Sequence, residues 1–337
     1  MENSENIENT ESNENLNFQS RINLEPLRES IDKIKAEMET VIVGQHKMID
    51  QLLVAILANG HVLIEGVPGV AKTMTSKIIA KTLSVGFSRI QFTPDLMPSD
   101  ILGTSVFDLK KSEFEFKKGP IFSNLILIDE INRAPAKTQA ALFEVMEERQ
   151  ITIDGNSFQL DKPFIVLATQ NPIEQEGTYR LPEAQLDRFI FKINIDYPKL
   201  DEEINIIQRE HTLQNTGKLE HIKAVLSASD IMNYQALVKQ IIVEPNLLEY
   251  IAKLVVNTRE NAFLYLGASP RASIAILNAA KGFAAIRGRD FVTPEDIKEA
   301  AIPVLQHRVI VTPEREMEGL TSVEIIKQII ESIEIPR

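Results

Sequence analysis

The chain has 337 residues, of which 44% are hydrophobic, enough for one large or two ordinary packed domains. The absence of cysteine excludes disulfides and thiolate metal sites and favours a reducing cytoplasm, and no apolar run of about 18 residues suggests a membrane-spanning helix. The net charge of −12 argues against broad contact with nucleic acid, which requires a basic surface.

The first 17 residues form an acidic, polar segment that we expect to be disordered. The segment contains five glutamates, and no lysine or arginine precedes Arg21. Such a composition cannot bury an apolar face. Apolar residues at helical spacing then predict an amphipathic helix over Arg21–Glu39, and a second helix is predicted over His46–Asn59.

The next part of the chain alternates predicted strands with predicted helices. The predicted strands are His61–Gly66, Arg89–Phe92, Leu125–Asp129, Phe164–Thr169 and Phe189–Ile195. The third and fourth are near-continuous apolar runs, as expected for parallel strands that are covered on both faces. With intervening helices such as Pro135–Glu148, residues 18–196 predict an α/β domain with a parallel sheet.

Two predicted hairpins interrupt this alternation. Residues Val106–Phe116 alternate charged and aromatic side chains, and residues Ile151–Leu160 contain the turn signal Asp154-Gly155. We interpret both hairpins as insertions that project from the core. Simple extensions of the sheet are the alternative.

From Tyr197 onward, the pattern predicts helices and no further strands. The predicted helices are Pro198–His211, Ser229–Ile241, Pro245–Arg259, Pro270–Arg287 and Pro294–Val311, the last broken near Pro303. Before the last helix, Thr293-Pro294-Glu295-Asp296 combines an N-cap, a proline at the first helical position and an acid. Residues 197–337 therefore predict a small, all-helical second domain.

The segment EGVPGVAKT, residues 65–73, predicts a phosphate-binding loop. It follows a strand, opens a helix and nearly matches G-x-x-x-x-G-K-[ST], with Ala71 in place of the second glycine. Gly66 and Gly69 supply torsional freedom and Pro68 stiffens the turn, so that backbone N–H groups face an anion at the helix N-terminus.

Side chains in and near this loop would hold ATP and Mg²⁺. Lys72 would reach the β- and γ-phosphates, and the Thr73 hydroxyl would bind Mg²⁺. The predicted nucleotide contacts in the loop are Gly66, Val67, Pro68, Gly69, Val70, Ala71, Lys72, Thr73 and Met74. Asp129 and Glu130 end a buried strand without a neighbouring base in sequence; Asp129 suits Mg²⁺ binding and Glu130 suits polarising water.

Three further polar residues are candidates for the same site. Asn171 follows another strand, where its amide can orient water. Arg188 is a candidate arginine finger, with a salt bridge to Asp187 or Glu183 as the alternative. Arg271 lies in the first turn of a helix, where a cation is unfavourable to the helix dipole, so we expect an anion to hold it.

These segments, in this order, resemble the MoxR family of AAA+ ATPases. The likeness spans Arg21 to Val311 and includes EGVPGVAKT, QFTPDLMPSDILG, LIDEINRAPAKTQAALFEVMEERQITIDG, ATQNP and LPEAQLDRF. The family often has alanine in the loop, so Ala71 is an allowed variant. The resemblance implies an AAA+ αβα P-loop core with a parallel sheet, followed by a small all-helical lid domain.

The resemblance also implies residue roles and an activity. It implies Lys72 and Thr73 as the Walker A pair and Asp129 and Glu130 as Walker B. Asn171 would be sensor 1, and Arg271 would be sensor 2. Arg188 would be a finger inserted into a neighbouring subunit, and Val43 and Gly44 would line the adenine pocket. Such proteins form homo-oligomers, here expected to be hexamers, that couple Mg²⁺-dependent ATP hydrolysis to chaperone-like remodelling or maturation of protein complexes. Their partners often contain a von Willebrand factor A domain. The hairpin at Val106–Phe116 resembles the helix-2 insert of the clade, and the other hairpin also lies on the substrate side.

Three alternatives remain open at the level of sequence. A DNA motor is disfavoured by the acidic charge, the absence of tryptophan and 6% aromatic residues. A metal-chelatase subunit would require a chelating companion that this chain lacks. A nucleotide-gated assembly scaffold that barely turns ATP over is disfavoured by the intact Glu130.

Overall fold

The structure is a computed structural model that describes residues 22–67, 69, 72–171, 178–212 and 221–335. The predicted acidic tail, residues 1–17, lies outside the described residues. So do three residues of the predicted phosphate loop, Pro68, Val70 and Ala71.

The helices and strands follow the predicted order. The helices are α1 Glu25–Glu39, α2 His46–Leu57, α3 Lys72–Thr82, α4 Pro98–Leu102, α5 Ala136–Glu148, α6 Glu183–Leu186, α7 Leu200–Thr212, α8 Ala228–Lys239, α9 Pro245–Glu260, α10 Pro270–Ile286, α11 Pro294–Leu305, α12 Pro313–Met317 and α13 Ser322–Ser332. The strands are β1 His61–Gly66, β2 Phe87–Gln91, β3 Gly103–Asp108, β4 Glu113–Lys118, β5 Leu125–Asp129, β6 Gln150–Ile153, β7 Asn156–Gln159, β8 Ile165–Gln170, β9 Phe189–Ile195, β10 Leu264–Leu266 and β11 Ile310–Val311.

Five parallel strands form the central sheet in the order β2-β5-β8-β1-β9. All five residues of β5 are buried, because the sheet is covered on both faces. Its side chains alternate between two apolar cores: Leu127 packs with helices α1, α2 and α3, whereas Ile126 and Ile128 pack with α5. Burying such a side chain contributes about 1.5–3 kcal/mol to the free energy of folding. The predicted α/β core with a parallel sheet is confirmed.

The two hairpins, β3–β4 and β6–β7, are separate antiparallel pairs outside the central sheet, as predicted for insertions. They contact each other rather than extend the sheet. Phe116 stacks on Phe158 with ring centroids 4.5 Å apart, and the Ser105 hydroxyl donates to the Asp154 carboxylate at 2.5 Å. The two insertions therefore form one projecting unit.

The part of the chain after β9 is mainly helical, as predicted, but the expectation of no further strands is wrong. The short strands β10 and β11 pair antiparallel. The helix predicted over Pro294–Val311 continues through Pro303 and ends at Leu305, and the chain is extended again at β11. Two strands of two and three residues, far apart in sequence, leave no periodic signal. The predicted capping residues of this helix, Thr293 and Asp296, do form a capping box.

Residues 306–308, directly after α11, fasten the helical part to β9. Gln306 accepts a hydrogen bond from the Asn194 side chain at 3.0 Å and donates one to the carbonyl of Lys192. His307 donates from Nε2 to the carbonyl of Phe189 at 3.0 Å, and burial keeps the pKa of His307 well below its ordinary value. We call residues 306–308 the β9 strap.

Across the described ranges of the chain, no helix combines the length and apolarity needed to cross a membrane.

Candidate active site

The predicted phosphate loop lies between β1, which ends at Gly66, and α3, which begins at Lys72. Gly69 has a φ of +89°, a conformation that side chains with a Cβ rarely adopt, and a Cβ there would contact nothing within 4 Å. Gly66, by contrast, is the last extended residue of the strand, so only Gly69 of the two predicted glycines uses its torsional freedom. The Lys72 ammonium folds back to donate to the carbonyl of Gly66 at 2.5 Å and to that of Gln170 at 3.5 Å.

The buried carboxylate of Asp129 lies beside this loop, at the end of β5. Its Oδ1 accepts from the hydroxyl of Thr73 at 3.4 Å and from that of Thr169 at 3.3 Å. Its Oδ2 accepts from Arg89 Nε at 2.6 Å. Hydroxyl and carboxylate oxygens are ligands that Mg²⁺ prefers, so the two predicted metal ligands are close enough to share an ion.

Glu130 adopts a left-handed backbone conformation, with φ 58° and ψ 52°. This conformation costs about 1–3 kcal/mol in a residue other than glycine and is concentrated at functional sites. The Glu130 N–H donates to the Thr169 hydroxyl at 3.1 Å. Its carboxylate accepts from Gln91 Nε2 at 2.9 Å and lies 3.1 Å from Arg133 Nε.

Both acids, which have no adjacent basic residue in sequence, therefore pair with basic side chains in the fold. Arg89 and Gln91 are two residues apart on β2, so both side chains face the same side of the sheet. Strand β2 pairs with β5, which carries Asp129. Arg133 follows Glu130 by three residues, in a 3₁₀ turn. These three polar side chains are functional candidates that the sequence analysis missed. Only the spacing of Arg133 from Glu130 signalled a contact, because the contacts of Arg89 and Gln91 depend on the register of β2 with β5.

Asn171 is buried and directly follows β8. Because β8 lies between β5 and β1 in the sheet, Asn171 lies between the acids and the phosphate loop. The carboxyl edge of the sheet thus brings together Lys72, Thr73, Asp129, Glu130 and Asn171.

A cavity of about 380 Å³ lies near the same edge. Its lining includes Gln45, the residue after the predicted adenine-pocket residues Val43 and Gly44, but neither of those two. The lining also includes Asn194, Tyr197, Glu202, Pro303 and Gln306. Gly44 has a φ of +66°, and a Cβ at this position would overlap the Glu202 carboxylate. The positive φ therefore favours glycine here, and the Glu202 side chain of α7 packs against it.

Arg188 lies at the opposite edge of the sheet from the phosphate loop. It immediately precedes β9, and Phe189 pairs with His61 at the start of β1, whereas the loop follows the other end of β1. At about 3.3 Å per residue, the strand separates these edges by roughly 20 Å, farther than an arginine side chain reaches. Arg188 therefore cannot reach the loop of its own chain.

Arg188 and Arg271 bind the same carboxylate, that of Glu147 near the end of α5. Arg188 Nη1 lies 2.8 Å from Glu147 Oε2, and Arg271 Nη2 lies 2.9 Å from Glu147 Oε1. Arg271 occupies the first turn of α10, as predicted, and the Ser269 hydroxyl accepts from its N–H at 3.2 Å. In this structure, the anion expected to hold Arg271 is Glu147, which the sequence analysis also missed.

Asp187, the alternative partner considered for Arg188, is instead bound by Arg308 of the β9 strap. Arg308 Nε lies 2.6 Å from Asp187 Oδ1, and the Ser269 hydroxyl donates to Asp187 Oδ2 at 2.9 Å. Burial lowers the pKa of Arg308, and the Asp187 carboxylate opposes that shift. Asp187 thus joins the sheet to the start of α10, so Arg188 and Arg271 are held as one unit.

Comparisons with known proteins agree with this geometry. Residues 61–191 match the profile of the ATPase family associated with various cellular activities (AAA), and residues 256–329 match that of the AAA lid domain. The chain is 42% identical to the chaperone MoxR1 of Mycobacterium tuberculosis over 317 residues, which is 91% of this chain and 83% of that protein. It is 43% identical to the uncharacterized protein YeaC of Bacillus subtilis over 312 residues, or 93% and 97% of the two chains. The crystal structure of a candidate ATPase from Cytophaga hutchinsonii matches with a TM-score of 0.84 at 44% identity, covering 92% of this chain and 96% of that one.

Proposed function

Because the chain belongs to the MoxR family of AAA+ ATPases, we propose that it hydrolyses ATP with Mg²⁺ and couples hydrolysis to chaperone-like remodelling of partner protein complexes. The observation that carries the proposal is the meeting of Lys72, Thr73, Asp129 and Glu130 at one edge of the sheet. The name of the relative MoxR1 supports the chaperone role. Proteins with a von Willebrand factor A domain are the class of client that we propose.

The donor set fits a magnesium nucleotide. The Thr73 hydroxyl and Asp129 Oδ1, 3.4 Å apart, would hold Mg²⁺, and Lys72 would exchange the carbonyl of Gly66 for phosphate oxygens. The cavity beside Gly44 would take the adenine. When bound, Mg²⁺ supplies charge neutralisation at the phosphates.

The remaining residues of this edge would act on the attacking water. Glu130 would accept a proton from it, and the Asn171 amide would orient it. For this step, the Glu130 carboxylate has to exchange its contacts with Gln91 and Arg133 for a contact with water.

We also propose that each site is completed by a second copy of the chain. Arg188 and Arg271 are held together, but they lie across the sheet from their own loop. A head-to-tail arrangement would bring this pair to the loop of the next copy. The family supports a ring of six such copies.

The test of the proposed function is the variant Glu130→Gln. The amide keeps the shape of the side chain but cannot take a proton, so Mg·ATP should bind while turnover falls by roughly 10²-fold or more. Phosphate release and a binding titration measure the two quantities. Glu249→Gln, an exposed position on α9, is the matched control. Turnover of Glu130→Gln within a factor of about two of the parent would remove Glu130 as the base.

The exposed aromatic tip of the β3–β4 hairpin is our candidate for client contact. Phe107 and Phe114 are both exposed and touch edge to face with centroids 5.2 Å apart, next to the exposed Leu109. Exposed apolar clusters of this kind commonly mark interaction sites. The hairpin lies outside the central sheet, so changes at its tip should spare the site of hydrolysis.

We expect the double variant Phe107→Ser, Phe114→Ser to bind an unfolded model polypeptide about tenfold more weakly, equivalent to about 1.4 kcal/mol. Basal ATP turnover should stay at the parental rate. Fluorescence anisotropy with labelled, reduced carboxymethylated α-lactalbumin measures the binding. Phe291→Ser removes a similarly exposed ring from the helical part as a control. Equal binding by the parent and the hairpin variant would exclude the tip as the contact.

A further inference from the structure

Helix α7 turns its apolar residues to the outside. Leu200, Ile204 and Ile207 are 78%, 46% and 61% exposed, respectively. Their spacing of four and three residues places them on one face of the helix. An amphipathic surface helix normally packs such a face against the core. We call these three residues the α7 stripe.

Polar groups hold α7 in this orientation. Arg209 Nη1 donates to the carbonyl of Glu39 at 2.8 Å and to that of Thr40 at 3.3 Å, at the end of α1. At the other end of the helix, Glu202 packs against Gly44 and accepts from the N–H of Lys199 at 2.8 Å. The helix is therefore attached by its polar residues, and the stripe is left for another partner.

The position of α7 indicates which partner this is. The helix starts at Leu200, shortly after the carboxyl end of β9, and Glu202 borders the cavity beside Gly44. This is the edge of the sheet that carries Lys72. A second copy that delivers Arg188 and Arg271 to this edge would approach across α7.

The surface around Arg271 carries a complementary apolar patch. Ile274 is 60% exposed and lies one turn after Arg271 on the same face of α10. Tyr265, 77% exposed, lies on β10 just before this helix. We call Tyr265 and Ile274 the lid patch. One chain therefore exposes one apolar surface beside each half of the composite site.

We propose, building on the function proposed above, that the α7 stripe of one copy packs against the lid patch of the next. Both surfaces would be covered when the arginine pair of one chain meets the loop of its neighbour. An apolar core flanked by charged groups is the usual composition of an interface between subunits. Since the two surfaces differ, the contact is head-to-tail and can repeat around a ring.

Cysteine cross-linking tests this contact, because the natural chain has no cysteine to give background. The double variant Ile207→Cys, Ile274→Cys is incubated with Mg·ATP and a short bismaleimide. We expect a ladder of covalent dimers, trimers and larger species on a denaturing gel. Each single variant should remain monomeric on the same gel, because a head-to-tail contact never brings two copies of one residue together.

Three outcomes would overturn the proposal. Dimers of Ile207→Cys alone would mean that two stripes face each other. A cross-linked monomer of altered mobility in the double variant would mean that the chain covers its own stripe. An uncross-linked double variant, when light scattering shows it to be oligomeric, would mean that the stripe lies outside the interface.

A charge placed in the stripe provides the second test. Ile207→Glu should raise the protein concentration required for assembly at least tenfold, because an unpaired carboxylate is costly in an apolar contact. Gln208→Glu adds the same charge to the adjacent exposed position and should assemble as the parent does. Unchanged assembly of Ile207→Glu would count against a second copy and favour a client or residues 1–21 as the partner of the stripe.

These measurements test the contact even if the chain does not hydrolyse ATP. Cross-linking and light scattering report the contact without requiring hydrolysis, whereas phosphate release by the parent chain tests the activity itself. A parent that hydrolyses ATP, combined with an Ile207→Glu variant that assembles normally, would reject the stripe alone.

Discussion

Replacement of Arg188 by alanine should leave ATP binding nearly normal and lower turnover by about 10³-fold, as for other arginine fingers. The physical reason is position: Arg188 lies at the amino edge of the sheet, and the phosphate loop lies at the carboxyl edge. Removing it should not unfold the chain, because Arg271 still pairs with Glu147. Phosphate release and a binding titration check both halves of the prediction. Arg28→Ala, at an exposed position on α1, is the control.

The defect of Arg188→Ala should be repaired across chains. An excess of Lys72→Ala subunits, which retain Arg188 but cannot hold ATP, should restore part of the activity when mixed with Arg188→Ala subunits. Recovery occurs because intact loops then lie beside intact arginines. If Arg188 only stabilised Glu147, the variant would melt at a lower temperature and mixing would restore nothing. The absence of recovery at every ratio, in oligomers confirmed by light scattering, would reject the finger.

The variant Lys72→Ala should lose ATP binding. Lys72 is the only side-chain cation within residues 65–73, and its ammonium already lies at the loop, on the carbonyl of Gly66. In the parent chain, Mg·ATP at 100 times its dissociation constant should stabilise the fold by about 2.7 kcal/mol, which raises the melting temperature.

A thermal-shift titration with Mg·ATP measures the loss. The variant should show no shift at concentrations that saturate the parent. Lys77→Ala, on the same helix, should shift as the parent does. A parental shift in Lys72→Ala would contradict the assignment of the loop.

The core of the fold was predictable because its signals are local. The apolar run Leu125–Asp129 and the run Phe189–Ile195 are strands with the predicted bounds, since parallel strands covered on both faces leave continuous apolar stretches. The pair β10–β11 was not predictable, because 43 residues, 267–309, separate its two short segments, which have no period of their own.

The site was predictable in its residues but not in their partners. The order of strand, loop and helix indicates Lys72, and the carboxyl ends of neighbouring strands indicate Asp129 and Glu130. The pairing of Arg89 with Asp129 depends on the register of β2 with β5, which a single sequence does not contain. Likewise, only the register of β9 with β1 reveals that Arg188 and the loop lie at opposite edges.

The β9 strap has a consequence for communication between sites. Gln306 lines the cavity beside Gly44, and Arg308, two residues later, holds Asp187 next to Arg188. The strap binds β9 from Asn194 to the start of the strand. We therefore expect the lid and β9 to move as one rigid body. Nucleotide binding in the cavity, at one end of this rigid body, would then determine the position of the arginines at the other end. Nucleotide binding in each chain's cavity would therefore be coupled to the arginine contact at the neighbour's loop, and the coupling would act equally in both directions.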